Sequence, residues 1–287
     1  MTAASHEMTL PSRGLVTALR HSISRDEFFA GLYILGCANG LLGRVLLTLN
    51  SDGWTGLLEV DISVIVLFAC FAGISTLAQG RSRDEIRSAD LAVAGIFLIL
   101  VILPMFALSW LAVTGLSLYI LAFANDQSAR RRGAIILLAL TVPMLWSRLL
   151  FQFFAEPILA IDASLAAWLL GTERVGNVVG FGDGSGNLVI APACSFLANT
   201  SLAFLCWISV TQWAKHQWSP TDILWSVLAC TSVIAVNVGR IALTGLSRSN
   251  YEAIHSPLGT MVGGAIILGL TVGISVLSAR RELFPRA

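Results

Sequence analysis

The sequence predicts an all-α protein: a polytopic transmembrane helical bundle of about eight spans, N-in/C-in, with a small extracytoplasmic hairpin-like segment before the sixth span. Three observations predict it. The chain is 56% hydrophobic and only 12% charged, about half the charged share of a soluble domain, and its mean hydropathy is +0.79. Its apolar residues fall into runs near the ~20 residues that cross a bilayer. Its basic residues cluster in the gaps between those runs and alternate from side to side.

Each element follows from its own residues. Residues 1–27 are polar and basic, with no short apolar core and cleavage site, and read as a cytoplasmic lead-in rather than a cleavable signal. Residues 28–279 read as one integral membrane domain and 280–287 as a cytoplasmic tail. The first apolar run is 28–49, broken by Arg44 and several glycines; the second is 61–78. The run 91–124, about 34 residues at about 1.5 Å each, is too long for one span, and Pro104 in its middle predicts a hairpin of two short helices. After a loop at 125–133, a fifth span covers 134–154. Residues 157–170 are apolar but short, with Asp162 inside, and suit an interfacial or re-entrant segment. Residues 171–193 differ in kind: glycines and an Asp-Gly between short β-branched runs signal a hairpin around 182–186. Such a backbone belongs outside the hydrocarbon, where its polar groups can be satisfied. Three spans close the chain at 194–213, 223–246 and 258–277.

With the N-terminus in the cytoplasm, thirteen of the eighteen basic residues fall on that side, from Arg13, Arg20 and Arg25 to Lys215, Arg280, Arg281 and Arg286. Only Arg174 and Arg248 lie outside; Arg44, Arg148 and Arg240 are in or at the edges of spans. Residues 171–193 and 247–257 then become extracytoplasmic. Cys194, Arg240 and His255 reach one membrane level by threading alone.

Those three residue types suit attack on a peptide carbonyl. A cysteine attacks as thiolate, and the start of a helix, following Pro192, favours an anion. A histidine takes the proton and returns it to the leaving amine. An arginine holds an oxyanion or a substrate carboxylate. A guanidinium within a span is costly and marks function more strongly than a lone cysteine or an interfacial histidine does. Arg240 is about six residues, roughly 9 Å, from its span end. Asn237, three residues earlier, shares nearly its face. Arg44 and Arg148 are structural partners for Glu59, Asp61 or Glu156, or else line the substrate cleft. His216 falls on the opposite side, His6 and His21 in the lead-in, and Cys206 in mid-span. Cys37, Cys70 and Cys230 read as small packing side chains. No spacing suggests a zinc site, a disulfide framework or a cofactor, and a net charge of +1 suggests no nucleic-acid partner.

Ala193-Cys194-Ser195 opening one span, Asn237-Val238-Gly239-Arg240 late in the next and His255-Ser256-Pro257-Leu258-Gly259 before the last resemble the exosortase/archaeosortase family of membrane transpeptidases. The likeness extends over most of the chain in topology and over about 189–264 in motif, within a catalytic part of about 171–264. It implies Cys194 as nucleophile, Arg240 as oxyanion or substrate holder and His255 as acid/base; beside these, the residues themselves offer Asn237, Ser195 and Arg148 as substrate-binding candidates. It also implies a bacterial inner-membrane location with an extracytoplasmic active site and no cofactor. The implied partners are membrane-anchored proteins ending in a motif, a helix and a basic tail, of the PEP-CTERM kind; the acceptor of the cleaved chain stays open. Many members carry Gly two residues after the cysteine, where this chain has Phe196. Two other readings stand beside this one: a transporter with Arg44, Arg148 and Arg240 along an anion path, and a non-catalytic envelope-biogenesis subunit.

Overall fold

The structure, a computed structural model, describes residues 23–52, 62–80, 84–124 and 128–284. The lead-in histidines His6 and His21, and Glu59 and Asp61, lie outside them. A helix stands at each of the eight expected segments. The first, α1, is Arg25–Asp52. The second, α2 (Val64–Ala78), starts where the Ser63 hydroxyl accepts from Ile65 N. The long apolar run breaks at Pro104 into α3 (Ser88–Ile102) and α4 (Phe106–Phe123).

The fifth segment departs from expectation at both ends. Its helix α5 (Ala129–Thr141) begins inside the predicted 125–133 loop, because Ser128 caps it by accepting from Arg131 N. It continues through a π-helical turn, Val142–Trp146, into α6 (Ser147–Leu170). Pro143 accounts for that turn: it has no N–H, and its ring would clash with the carbonyl four residues back. Pro157 has the same effect further on, and the backbone leaves helical geometry at Phe154 (φ −127°, ψ 28°). Beyond that break α6 is two-faced. Ile158, Leu159, Asp162, Ala163 and Ala166 are buried, whereas Ile161, Leu165, Trp168 and Leu169 are exposed.

The predicted hairpin is present. Three short strands, β1 (Arg174–Val175), β2 (Val178–Gly180) and β3 (Asn187–Val189), form an antiparallel sheet in sequence order. Val179 pairs with Leu188, and both are buried. Gly184 takes φ +71° in the turn, a conformation that favours glycine. Asp183 in that turn accepts from Ser185 N, and the Ser185 hydrogen bonds hold its carboxyl below the ordinary range. The rest comprises α7 (Phe196–Trp213), α8 (Thr221–Thr244), a short unpredicted α9 (Arg248–His255), α10 (Pro257–Ser278) and α11 (Arg280–Leu283). Ser247 starts α9 by accepting from Asn250 N.

Among the described residues, five helices are long and apolar enough to cross a membrane: Arg25–Asn50, Phe106–Phe123, Ala129–Leu170, Thr221–Thr244 and Pro257–Ser278. Helices α2 and α3, at 15 residues each, are shorter apolar helices, about 22 Å long. Large apolar side chains such as Ile99, Ile102, Leu224 and Leu258 face outward, as lipid contact demands and water does not favour. The chain is an integral membrane protein.

Two cores hold the bundle. One joins α1 to α5 with α7 through Phe29, Tyr33, Leu116, Leu137 and Leu205. The other joins the far half of α6, the hairpin and α8 through Leu159, Val179, Ile190 and Ile241. Buried ion pairs gather at one end, whereas Arg248 and Glu252 of α9 form an exposed pair at 4.0 Å. Arg25 at the start of α1 grips Asp90 of α3 with two hydrogen bonds of 2.7 Å, and Tyr119 donates to the same carboxylate. Arg130 of α5 pairs with Asp26 and with Asp84. Helix α2 ends near Asp26 and so starts at the other end, where Ser63 and Val66 share a cavity wall with Ala198 and Ser201 of α7. The segment leading into α7 therefore sits at the end remote from the ion pairs.

Candidate active site

The site forms at that remote end. Pro192–Cys194 make a 3-10 turn, with Cys194 N bonded to Ala191 O, and α7 proper begins at Phe196. Cys194 thus precedes the helix rather than opening it, and Ser195 is the N-cap. The first N–H groups of α7 are already engaged: Phe196 N by the carboxylate of Asp162 at 3.3 Å, Leu197 N by the Ser195 hydroxyl at 3.3 Å. Ser195 also hydrogen-bonds Asp162. The helix terminus invoked from sequence is therefore occupied by a carboxylate and a hydroxyl.

Asp162 and Asn237 brace this turn from two sides, and both side chains are fully buried. Asn237 Nδ2 donates to the Cys194 carbonyl at 2.8 Å, and Asn199 Nδ2 donates to Asn237 Oδ1 at 3.3 Å. Asn237 therefore acts on the backbone of Cys194, and Ser195 is a buried cap; both were read from sequence as substrate-binding. A fixed backbone on either side of the cysteine fixes where its sulfur starts.

Cys194, Arg240 and His255 line one cleft of about 250 Å³, together with Ile190, Thr244, Tyr251 and Thr260. Cys194 is half-buried and packs on the second core. Arg240 is half-buried too, and no carboxylate bonds to it among the described residues; its side chain lies along Gly263 of α10. His255 ends α9, where its ring stacks on Tyr251 at 4.2 Å between centroids. Its Nδ1 lies 3.0 Å from the Tyr251 carbonyl. A carbonyl only accepts, so Nδ1 carries the hydrogen and Nε2 is left free to take a proton. The sharp join between α9 and α10 needs Gly259, where a Cβ would come within 2.5 Å of the Ala253 carbonyl.

Arg148 lies elsewhere. It lines a separate cavity of about 200 Å³ with Arg44, Ser63 and Ser147, which shares no lining residue with the Cys194 cleft. Glu156 is exposed and pairs with neither arginine. Among the described residues no group of three or more His, Cys, Asp or Glu is placed to hold a metal ion.

Asp162, Asn199 and Tyr251 are the site residues that sequence reasoning left unassigned. Asp162 carries a signal, as a lone charge in an apolar stretch, but its contact with Phe196 spans 34 residues and a hairpin. Tyr251 was legible as the residue four before His255, once 247–257 is read as a helix.

Compared with known proteins, the chain matches no family model, no curated protein and no solved structure.

Proposed function

We propose that the chain is a membrane-embedded cysteine transpeptidase or protease of exosortase/archaeosortase type, which cleaves C-terminal sorting signals of exported proteins at the extracytoplasmic face. The observation that carries this reading is the shared cleft. A thiol, a guanidinium with no carboxylate partner among the described residues and an imidazole with one free nitrogen, from three separate elements, line a single cavity.

The chemistry follows from their capacities. Cys194 Sγ attacks the scissile carbonyl while His255 Nε2 takes the thiol proton. The tetrahedral oxyanion is held by the Arg240 guanidinium, to which no carboxylate bonds among the described residues. Collapse breaks the C–N bond, and His255 returns its proton to the departing amine. The substrate's N-terminal part stays on Cys194 as a thioester, which water or an amine then attacks, regenerating the thiol. The departing fragment is the substrate's own helix and basic tail. Holding enzyme and substrate in one bilayer raises their effective concentration.

An eight-span, N-in/C-in threading supports the sidedness: basic residues concentrate at the ion-paired end, and the cleft lies at the other. The separation of the Arg44/Arg148 cavity from the cleft favours catalysis over a continuous anion path.

The test is co-expression with an exported reporter bearing a motif, helix and basic tail from the same genome. The wild-type chain yields the shortened reporter, and a hydroxylamine-sensitive adduct forms on Cys194. Cys194→Ala and His255→Gln insert normally and leave the reporter uncut. Processing that continues in Cys194→Ala overturns the proposal.

A further inference from the structure

Arg44 and Arg148 stand apart from the cleft, and the proposed chemistry does not use them. A guanidinium near the hydrocarbon is costly without a partner. Arg25 and Arg130 each grip carboxylates, whereas no carboxylate bonds to Arg44 or Arg148 among the described residues. The two share one cavity of about 200 Å³. The hydroxyls beside them offer their hydrogens elsewhere: Ser147 donates to Pro143 O and Ser201 to Ala198 O. Two cationic forks lining one cavity suit an anion, and planar guanidinium matches phosphate oxygens in pairs.

Ser147 and Ser201 also line a second, larger space of about 660 Å³. The walls of this groove are Trp146, Leu150, Phe153, Phe154, Leu197 and Phe204, in the bend made by the π turn and the Phe154 break. Its volume is in the range of about 300–1,000 Å³ typical of ligand sites. One polar atom on its wall is unexplained: Thr200 Oγ1 is buried and has no hydrogen-bond partner. A cationic head chamber adjoining an apolar groove along the shared Ser147 and Ser201, with one orphan hydroxyl on the groove wall, has the pattern of an amphiphile site.

We infer that an anionic membrane phospholipid binds here, its phosphate between Arg44 and Arg148, one acyl chain along the Trp146–Phe204 groove, and an ester carbonyl accepting from Thr200. The level agrees. Ser63, the cap of α2, and Ala198 in the first turn of α7 border the head chamber, which sets it where helices of this end emerge. Phe204 and Cys230 lie deeper along α7 and α8, as a chain descending into the bilayer requires.

The test uses the full-length protein in phosphatidylcholine nanodiscs and the fluorescence of Trp146. Phosphatidylglycerol with brominated chains, added as a minor component, is compared with brominated phosphatidylcholine at the same fraction. The expected result is stronger quenching by the anionic lipid, with a preference of about thirtyfold from two arginine contacts. Trp146→Phe should remove the excess quenching, and Arg44→Gln with Arg148→Gln should equalise the two lipids while the protein stays folded. Equal quenching by both lipids in the wild type overturns the inference. So does relief of the excess by a soluble acidic peptide, which would make the occupant a protein carboxylate.

Discussion

The two ends of this molecule treat positive charge in opposite ways. At one end Arg25, Arg130 and His216 are each held by carboxylates: Asp90, then Asp26 and Asp84, then Asp222 and Glu282. At the other end Arg44, Arg148 and Arg240 have no carboxylate bonded to them among the described residues, and each lines a cavity. A paired buried charge ties helices together, and removing one partner leaves the other stranded. An unpaired one does little for the fold but leaves a field into which a ligand or a developing negative charge can move. The paired end is architecture, and the unpaired end is where binding and chemistry are available.

The largest effect that would break this comparison is on stability. Asp90 is fully buried and accepts from Arg25, Tyr119 and Arg87 N. Asp90→Ala should destabilise the protein by about 3–5 kcal/mol, read as loss of the folded monodisperse fraction in detergent or a large fall in thermal midpoint. A midpoint unchanged in Asp90→Ala would mean that the network is decorative.

Arg240→Ala should do the reverse. With no ion pair to lose, its thermal midpoint should stay near that of the wild type. Turnover of a sorting-signal reporter should drop about 10²–10³-fold, the usual cost of one oxyanion donor. Arg240→Lys keeps the charge but not the planar fork, and should recover only part of the rate. A destabilised Arg240→Ala with normal turnover per folded molecule would invert the assignment of the two ends.

What the sequence made legible divides along the same line. Helix positions, the break at Pro104 and the hairpin all came from local signals: apolar run length, proline chemistry and turn residues. Cys194, Arg240 and His255 were legible because threading brings them to one end, and they do line one cleft. The supporting contacts were not legible. Asn237 reaches the Cys194 carbonyl, and Asp162 the Phe196 N–H, across sequence separations that only the packed fold closes. Arg148 has the same sequence character as Arg240, an arginine towards one end of an apolar run. It lies in another chamber because α6 bends at Phe154 and carries its far half, not Arg148, to the Cys194 turn. The start of α7 at Phe196 rather than Cys194 turns on the Ser195 cap, a detail that hydropathy does not record.

Asp162 sharpens the comparison, being a carboxylate at the end of the unpaired arginines that binds no arginine and instead caps α7. Asp162→Asn retains an oxygen acceptor and should be mild. Asp162→Ala strands the Phe196 N–H and should cost about 1–3 kcal/mol. If the role is to seat Cys194, Asp162→Ala should also lower kcat with little change in KM, and Asp162→Asn should restore most of it. An equal effect on a reporter-free stability assay with kcat unchanged would make it a cap and nothing more.

The smallest expected effect lies back at the paired end. His216, in the connection between α7 and α8, faces Glu282 with Nδ1 at 2.8 Å and Asp222 with Nε2 at 3.0 Å. Burial works to lower its pKa, but the hydrogen bonds to Glu282 and Asp222 outweigh that and hold it above the ordinary histidine value. Its charged form is therefore bound more tightly in the folded protein than in the unfolded chain. The resulting stabilisation is complete below the unfolded value, about 6.5, and is lost as pH rises through the higher folded value. Thermal midpoints should decline modestly on that alkaline side, and His216→Gln should flatten the decline. Because the same pair joins the start of α8 to α11, the loss should loosen the C-terminal segment first, as faster amide exchange across Arg280–Leu283. A decline that persists unaltered in His216→Gln would assign it to another group and leave this contact as a surface ion pair of no consequence.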